Sequence, residues 1–149
     1  MIRRLAASYE SIPARREDLV QTILLEAWRS LPRVQSLQSA RAYLARLAHN
    51  CGVDHIASAV RERASDVIDE TLPDPLAGPE ASVIGAQEHD QLMAAILRLP
   101  LGYRQVMSLA LEGLSHEEIG EITGLGISNV GVRLMRARDT LRKLLRGMQ

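Results

Sequence analysis

Residues 117–134 read Glu-Glu-Ile-Gly-Glu-Ile-Thr-Gly-Leu-Gly-Ile-Ser-Asn-Val-Gly-Val-Arg-Leu, and the spacing inside this stretch decides the fold. Two helices that cross closely need a small residue at the crossing, and Gly120 supplies it. The turn needs a residue tolerant of positive φ four positions later, where Gly124 stands. Six further on, Val130 is the β-branched apolar residue that seats the second helix on the first. Just upstream, Ser115-His116-Glu117-Glu118 has the form of a capping box, with the serine closing the helix start and the glutamate reaching back. The stretch fits a helix-turn-helix. An ordinary helical hairpin with a glycine turn is the alternative that the pattern alone leaves open.

Working outward, the second helix is expected from Ile127 to Leu145, with Val130, Leu134, Ala137, Leu141 and Leu144 along its buried side. Ser128, Asn129, Gly131 and Val132 fall at its start, where such a helix meets base edges. Small residues there permit close approach, and Asn129 has the donor and acceptor to pair with adenine or to meet a phosphate. Arg133, Arg136 and Arg138 follow as candidates for neutralising backbone charge. A solvated helix face complementing the helix dipole would also carry such arginines. Ahead of the motif, Leu92, Met93, Ile96, Leu97 and Leu99 mark a helix from Asp90 to Pro100, and Val106, Leu109 and Ala110 mark another ending near Gly113.

The N-terminal part repeats the helical pattern. Ser11-Ile12-Pro13 interrupts a short opening helix. A second helix starts at Asp18, with Leu19, Val20, Ile23, Leu24, Ala27 and Leu31 as a buried stripe and Pro32 as its stop. Trp28 is read as a core or interface residue. After a polar loop, Arg33 to Ser39, Ser39 is a plausible N-cap for a helix whose inward face is Tyr43, Leu44, Leu47, Ala48 and Cys51. Arg41, Arg46, His49, Asn50 and Asp54 fall largely on its other faces. From about Ala64 the periodicity dissolves, with Pro73, Pro75 and Pro79 among scattered acids. No strand signal of any length appears. The expected architecture is all-α: two small helical domains, 1–63 and 89–149, joined by a flexible acidic linker, 64–88.

Net charge is zero, with 18 basic and 18 acidic residues, yet it is unevenly spread. Residues 1–63 carry ten Arg against six acids, 64–100 one Arg against seven acids, and 101–149 seven basic residues against five acids. Two basic modules flanking an acidic connector suit a polyanionic partner. The single cysteine, Cys51, excludes an internal disulfide, and no apolar run is long enough to span a bilayer. A cytoplasmic location without membrane insertion is expected. No nucleophile–base–orienter set, phosphate loop or ligand cluster appears, so no catalytic residue, metal or cofactor is expected.

These stretches resemble the extracytoplasmic-function (ECF) group of bacterial RNA polymerase sigma factors. Residues 99–145, through Glu112-Gly113-Leu114-Ser115, Gly124-Leu125-Gly126-Ile127-Ser128-Asn129-Val130 and Arg133-Leu134-Met135-Arg136-Ala137-Arg138, are similar to region four of that family. Residues 17–61, through Glu17-Asp18-Leu19-Val20-Gln21, Ala27-Trp28-Arg29-Ser30-Leu31, Ala42 to Asn50 and Asp54-His55, are similar to region two. Two stretches in the right order are far more specific than either alone. This chain departs from the pattern in having Gly126 where a serine N-cap is usual, and few aromatics in the region-two stretch.

The resemblance implies a protein that binds core RNA polymerase, directs it to promoter DNA and is held in check by an anti-sigma factor. It implies that the helix opened by Asp18, Leu19, Val20 and Gln21 docks on the polymerase clamp. Arg41, Arg46, His49 and Asn50 would meet the minus-ten element. The helix carrying Ser128, Asn129, Gly131, Val132, Arg133, Arg136 and Arg138 would enter the major groove of the minus-thirty-five element. The free protein would keep its two domains together. Two other readings stay open: a sigma-like decoy that binds only protein, and a dimeric helix-turn-helix regulator that binds DNA without polymerase.

Overall fold

The computed structural model describes residues 1–33, 36–65 and 84–148, and the side chains of these except 37–39, 64, 65 and 84–86. Most of the expected linker, 66–83, and the side chain of Ser39 lie outside the described residues. Among the described residues seven α-helices form: α1 Ile2–Ala7, α2 Pro13–Ser30, α3 Leu37–Ser65, α4 Ile84–Leu97, α5 Leu101–Leu111, α6 His116–Thr123 and α7 Ile127–Gly147. A 3-10 turn, Leu31–Arg33, follows α2. The described residues contain no strand, so the chain is all-α.

Helix boundaries follow local chemistry. Pro13 opens α2 at its first turn, where a missing N–H costs nothing, so this helix starts five residues before Asp18. Because α3 already begins at Leu37, Ser39 sits inside it rather than capping it. Pro100 separates α4 from α5, and α4 reaches back to Ile84, inside the stretch expected to be linker.

On α2, Leu19, Val20, Ile23 and Ala27 are buried as expected, but Leu24 and Leu31 are 44% and 45% exposed. α1 and α3 cover α2 along one narrow strip, leaving a second apolar face open. That face includes Trp28, expected as a core or domain-interface residue but 79% exposed. On α3 the fully buried positions are Ala45, Ala48, His49 and Gly52, rather than Tyr43, Leu44, Leu47 and Cys51, which are half-buried. The rotation has a cause in α1. Its continuation brings the Tyr9 ring flat onto Gly52, so close that a Cβ there would lie 2.6 Å from the ring. The Tyr9 hydroxyl then meets Nδ1 of His49 at 2.8 Å.

One continuous buried cluster runs through both halves of the molecule, from Leu5, Ala6, Tyr9, Leu19, Val20 and Ile23 to Ile96, Val106, Leu109, Ile119, Val130 and Leu134. Helix α1 contacts α2, α3 and α5, and α3 contacts α6. The two halves are packed together, with α1 as the element shared between them.

Candidate nucleic-acid interface

The turn between α6 and α7 has the geometry its sequence demands. The Ser115 Oγ accepts from the Glu118 N–H at 3.1 Å, and a Glu118 carboxylate oxygen accepts from the Ser115 N–H at 2.7 Å. Gly124 adopts φ +76°, ending α6 in the left-handed region where a side chain would be strained. A Cβ at Gly120 would come 2.7 Å from the Leu125 carbonyl oxygen, so the turn closes onto bare backbone. Val130 is fully buried and pins α7 to α6. Gly126 caps α7 without a side-chain hydrogen bond.

α7 is 21 residues long, about 30 Å at 1.5 Å per residue. Val130, Leu134, Ala137 and Leu141 are buried beneath it. Ser128, Asn129, Val132, Arg136 and Arg138 are exposed on the outside, and Gly131 is half-buried beside the His116 ring. Arg133 behaves differently from the other two arginines. It is half-buried, donates Nε to Asn129 Oδ1 at 3.3 Å, and lays Nη1 2.7 Å from where a Cβ of Gly102 would be, at the start of α5. Ile127 and Met135, which sequence reasoning did not single out, are also exposed on this helix at 53% and 56%. Between residues 127 and 148 the sole acid, Asp139, is paired with Arg142 at 2.7 Å.

The N-terminal candidates do not all reach the surface. Arg46 and Asn50 are exposed on α3, and so is Arg41, whose guanidinium lies against Gly113 of the other half. His49, expected on an outer face, is 7% exposed, and burial lowers its pKa below the ordinary histidine value. The direction of its hydrogen bond with the Tyr9 hydroxyl is set by the imidazole tautomer. Burial likewise raises the Tyr9 phenol. Of the three candidates on α2, Asp18 and Gln21 are exposed, while Leu19 is 3% exposed and belongs to the core.

Three polar contacts of long sequence separation have no counterpart in any local motif. Glu10 and His55 Nε2 are 2.7 Å apart. Burial would raise the Glu10 carboxyl, but hydrogen bonds from His55 and the Ile12 N–H outweigh it and the net pKa is lowered. Arg4 donates twice to Glu112. Arg104 donates to the carbonyls of Ser8 at 3.3 Å and Leu99 at 3.2 Å, and its buried Nε has no partner among the described residues. Among the same residues no helix is long and apolar enough to cross a membrane, and no group of three His, Cys, Asp or Glu is placed to hold a metal.

Comparison with known proteins matches both halves. The family model for sigma-70 region 2 matches residues 1–62, and that for sigma-70, region 4 matches residues 89–141. The RNA polymerase sigma factor NccH of Alcaligenes xylosoxydans xylosoxydans is 30% identical over 89% of this chain and 74% of its own length. The ECF RNA polymerase sigma factor SigW of Bacillus subtilis is 27% identical over 89% of this chain and 76% of its own. Among solved structures, the sigma factor RpoE from Bartonella quintana, in complex with the anti-sigma factor NepR, superimposes with a TM-score of 0.76 at 25% identity, over 97% of this chain and 89% of that one. CnrH, in complex with the cytosolic domain of CnrY, shares the fold with a TM-score of 0.64 at 22% identity, over 99% of this chain and 82% of that one.

Proposed function

The chain belongs to the extracytoplasmic-function group of RNA polymerase sigma factors, and from that membership we propose how its parts divide the work. As an alternative sigma factor it binds core RNA polymerase and directs promoter recognition and the start of transcription. Residues 1–63 are the module for core polymerase and the minus-ten element, 64–88 the connector, and 89–149 the module for the minus-thirty-five element. It works by binding rather than by catalysis, in the cytoplasm, and an anti-sigma factor restrains it.

The observation that carries this reading is the exposed face of α7. Ser128, Asn129 and Val132 stand ready for base edges, with Arg136 and Arg138 beside them for phosphates. Gly131 allows close approach, and Arg133 braces Asn129. On the other module, Arg41, Arg46 and Asn50 are the side chains for the minus-ten strand, and buried His49 supports their helix from beneath. For core polymerase, Asp18 and Gln21 continue at helical spacing into exposed Leu25 and Trp28, one stripe along α2. Leu19 holds that stripe in place from the core side.

Run-off transcription with core polymerase tests the whole. We expect promoter-specific transcript only when the chain is added, and a gel shift of promoter DNA that requires core enzyme. A specific shift without polymerase would favour a stand-alone regulator, and polymerase-independent protein binding alone would favour a decoy. Arg136→Ala should weaken promoter binding at every sequence and make its salt dependence shallower by about one unit.

A further inference from the structure

Where the two halves meet, a carboxylate is paired with one arginine and lies near a second. Arg4, on α1, donates Nε to Glu112 Oε1 at 2.7 Å and Nη2 to Oε2 at 2.9 Å, a bidentate pair. Glu112 lies just after α5 and is only 7% exposed. Next to it the Arg41 guanidinium lies against Gly113, where a Cβ would sit 2.8 Å from Nη2. The hydrogen bond from Arg4 lowers the Glu112 carboxyl despite burial, and the charges of Arg4, of the Met1 ammonium and, least, of Arg41 add to that effect. Glu112 is therefore an anion at neutral pH.

Both arginines belong to the N-terminal half, and the anion belongs to the other half. One guanidinium bonded bidentately to a planar anion, with a second from another helix close by, is also how arginines hold a phosphate. Arg41 is among the side chains assigned above to the minus-ten strand. We propose that Arg4 and Arg41 form a site for a backbone phosphate of that strand, and that Glu112 occupies it in the closed protein as an internal stand-in. The inference rests on the promoter-binding reading of α3 and adds Arg4 to it. It also gives the closed packing a consequence: the halves must part before the site can take DNA, so strand capture competes with the contact between them. Among the described residues the other direct hydrogen bond from the C-terminal half to this end of α1, Arg104 to the Ser8 carbonyl, is longer at 3.3 Å and involves no anion.

Glu112→Gln keeps the size and removes the charge. The probe is a fluorescent single-stranded DNA of mixed sequence, titrated into the free chain, with the radius of gyration followed by small-angle scattering. The variant should bind about fivefold tighter, as expected when a part-buried ion pair no longer holds the closed state, and should be more expanded. Arg4→Ala should expand the protein equally but gain no affinity, because it deletes half of the phosphate site. On the wild-type chain, saturating DNA should itself raise the radius of gyration, a readout that needs no variant to fold. Unchanged affinity in Glu112→Gln, equal gain in Arg4→Ala, or DNA binding with no expansion would each overturn the proposal. Holoenzyme carrying the wild-type chain serves as the reference. If it fails to bind promoter DNA, the promoter reading itself fails; if it binds while those arms fail, only the masking by Glu112 is lost.

Discussion

Two helices present open faces to solvent, and the two faces have opposite chemistry. Along α7 most exposed residues are small, polar or cationic, among them Ser128, Asn129, Arg136 and Arg138, with Ile127, Val132 and Met135 interspersed. Along α2 the exposed face is apolar, with Leu24, Leu25, Trp28 and Leu31 between 44% and 79% exposed. A cationic face gains from a polyanion by counterion release, whereas an exposed tryptophan flanked by leucines gains from burial against another protein. On the function proposed above, the difference separates the two kinds of partner by module: nucleic acid for the C-terminal face, a protein surface for α2.

The largest way to break this contrast is to remove one face while keeping the other. Gly120→Leu puts a branched side chain where even a Cβ would lie 2.7 Å from the Leu125 carbonyl oxygen. Backbone cannot swing aside as a flexible side chain can, so overpacking should cost about 3 kcal/mol and tilt α7 off its seat. Promoter binding should be abolished while binding to core polymerase persists. Loss of both at once, measured by gel shift and by polymerase pull-down, would show that the faces are not independent.

A smaller effect sharpens the other side. Trp28→Ala removes a side chain that makes little contact within the protein, so thermal stability should move by less than about 0.5 kcal/mol. If α2 is the polymerase face, the same change should weaken core binding by about 2 kcal/mol, the loss typical of a buried tryptophan at an interface. Trp28→Ala that lowers stability and leaves core binding intact would return this residue to a structural role.

The faces also differ in how far the sequence discloses them. The capping box, Gly120, Gly124 and Val130 act over a few residues, so their spacing alone predicts the helix-turn-helix that the structure contains. α3 offers no such signal. Its buried residues are Ala45, Ala48, His49 and Gly52, none of them a large apolar group, and the choice of face depends on Tyr9, some forty residues earlier. Periodicity of Leu and Tyr therefore points to a neighbouring face of the helix, which shares only Ala48 with the buried one. His49 is misplaced for the same reason, and Trp28 is read as either core or interface because hydrophobicity does not distinguish a core from a docking face. The pairing of Arg4 with Glu112 spans 108 positions and follows from no spacing rule.

The smallest expected effect concerns pH, and it tests whether the N-terminal half is held by its long-range polar contacts. Burial keeps His49 below the ordinary value of 6.5. The unfolded chain therefore takes up a proton at a higher pH than the folded one, and stability falls as the pH drops from that value toward the folded pKa. Glu10 and Glu112 act in the same direction lower down. Their folded pKa values lie below the ordinary 4.5, so what they contribute is complete above that value and is lost as the pH falls through the folded ones. Thermal unfolding followed by circular dichroism should show two losses, a first below about pH 6.5 from His49 and a second below about pH 4.5 from the carboxylates. His49→Gln keeps an acceptor for the Tyr9 hydroxyl but cannot titrate, so it should erase the first loss and leave the second. Parallel curves for the two proteins would mean that the buried imidazole does not govern the acid response of this half.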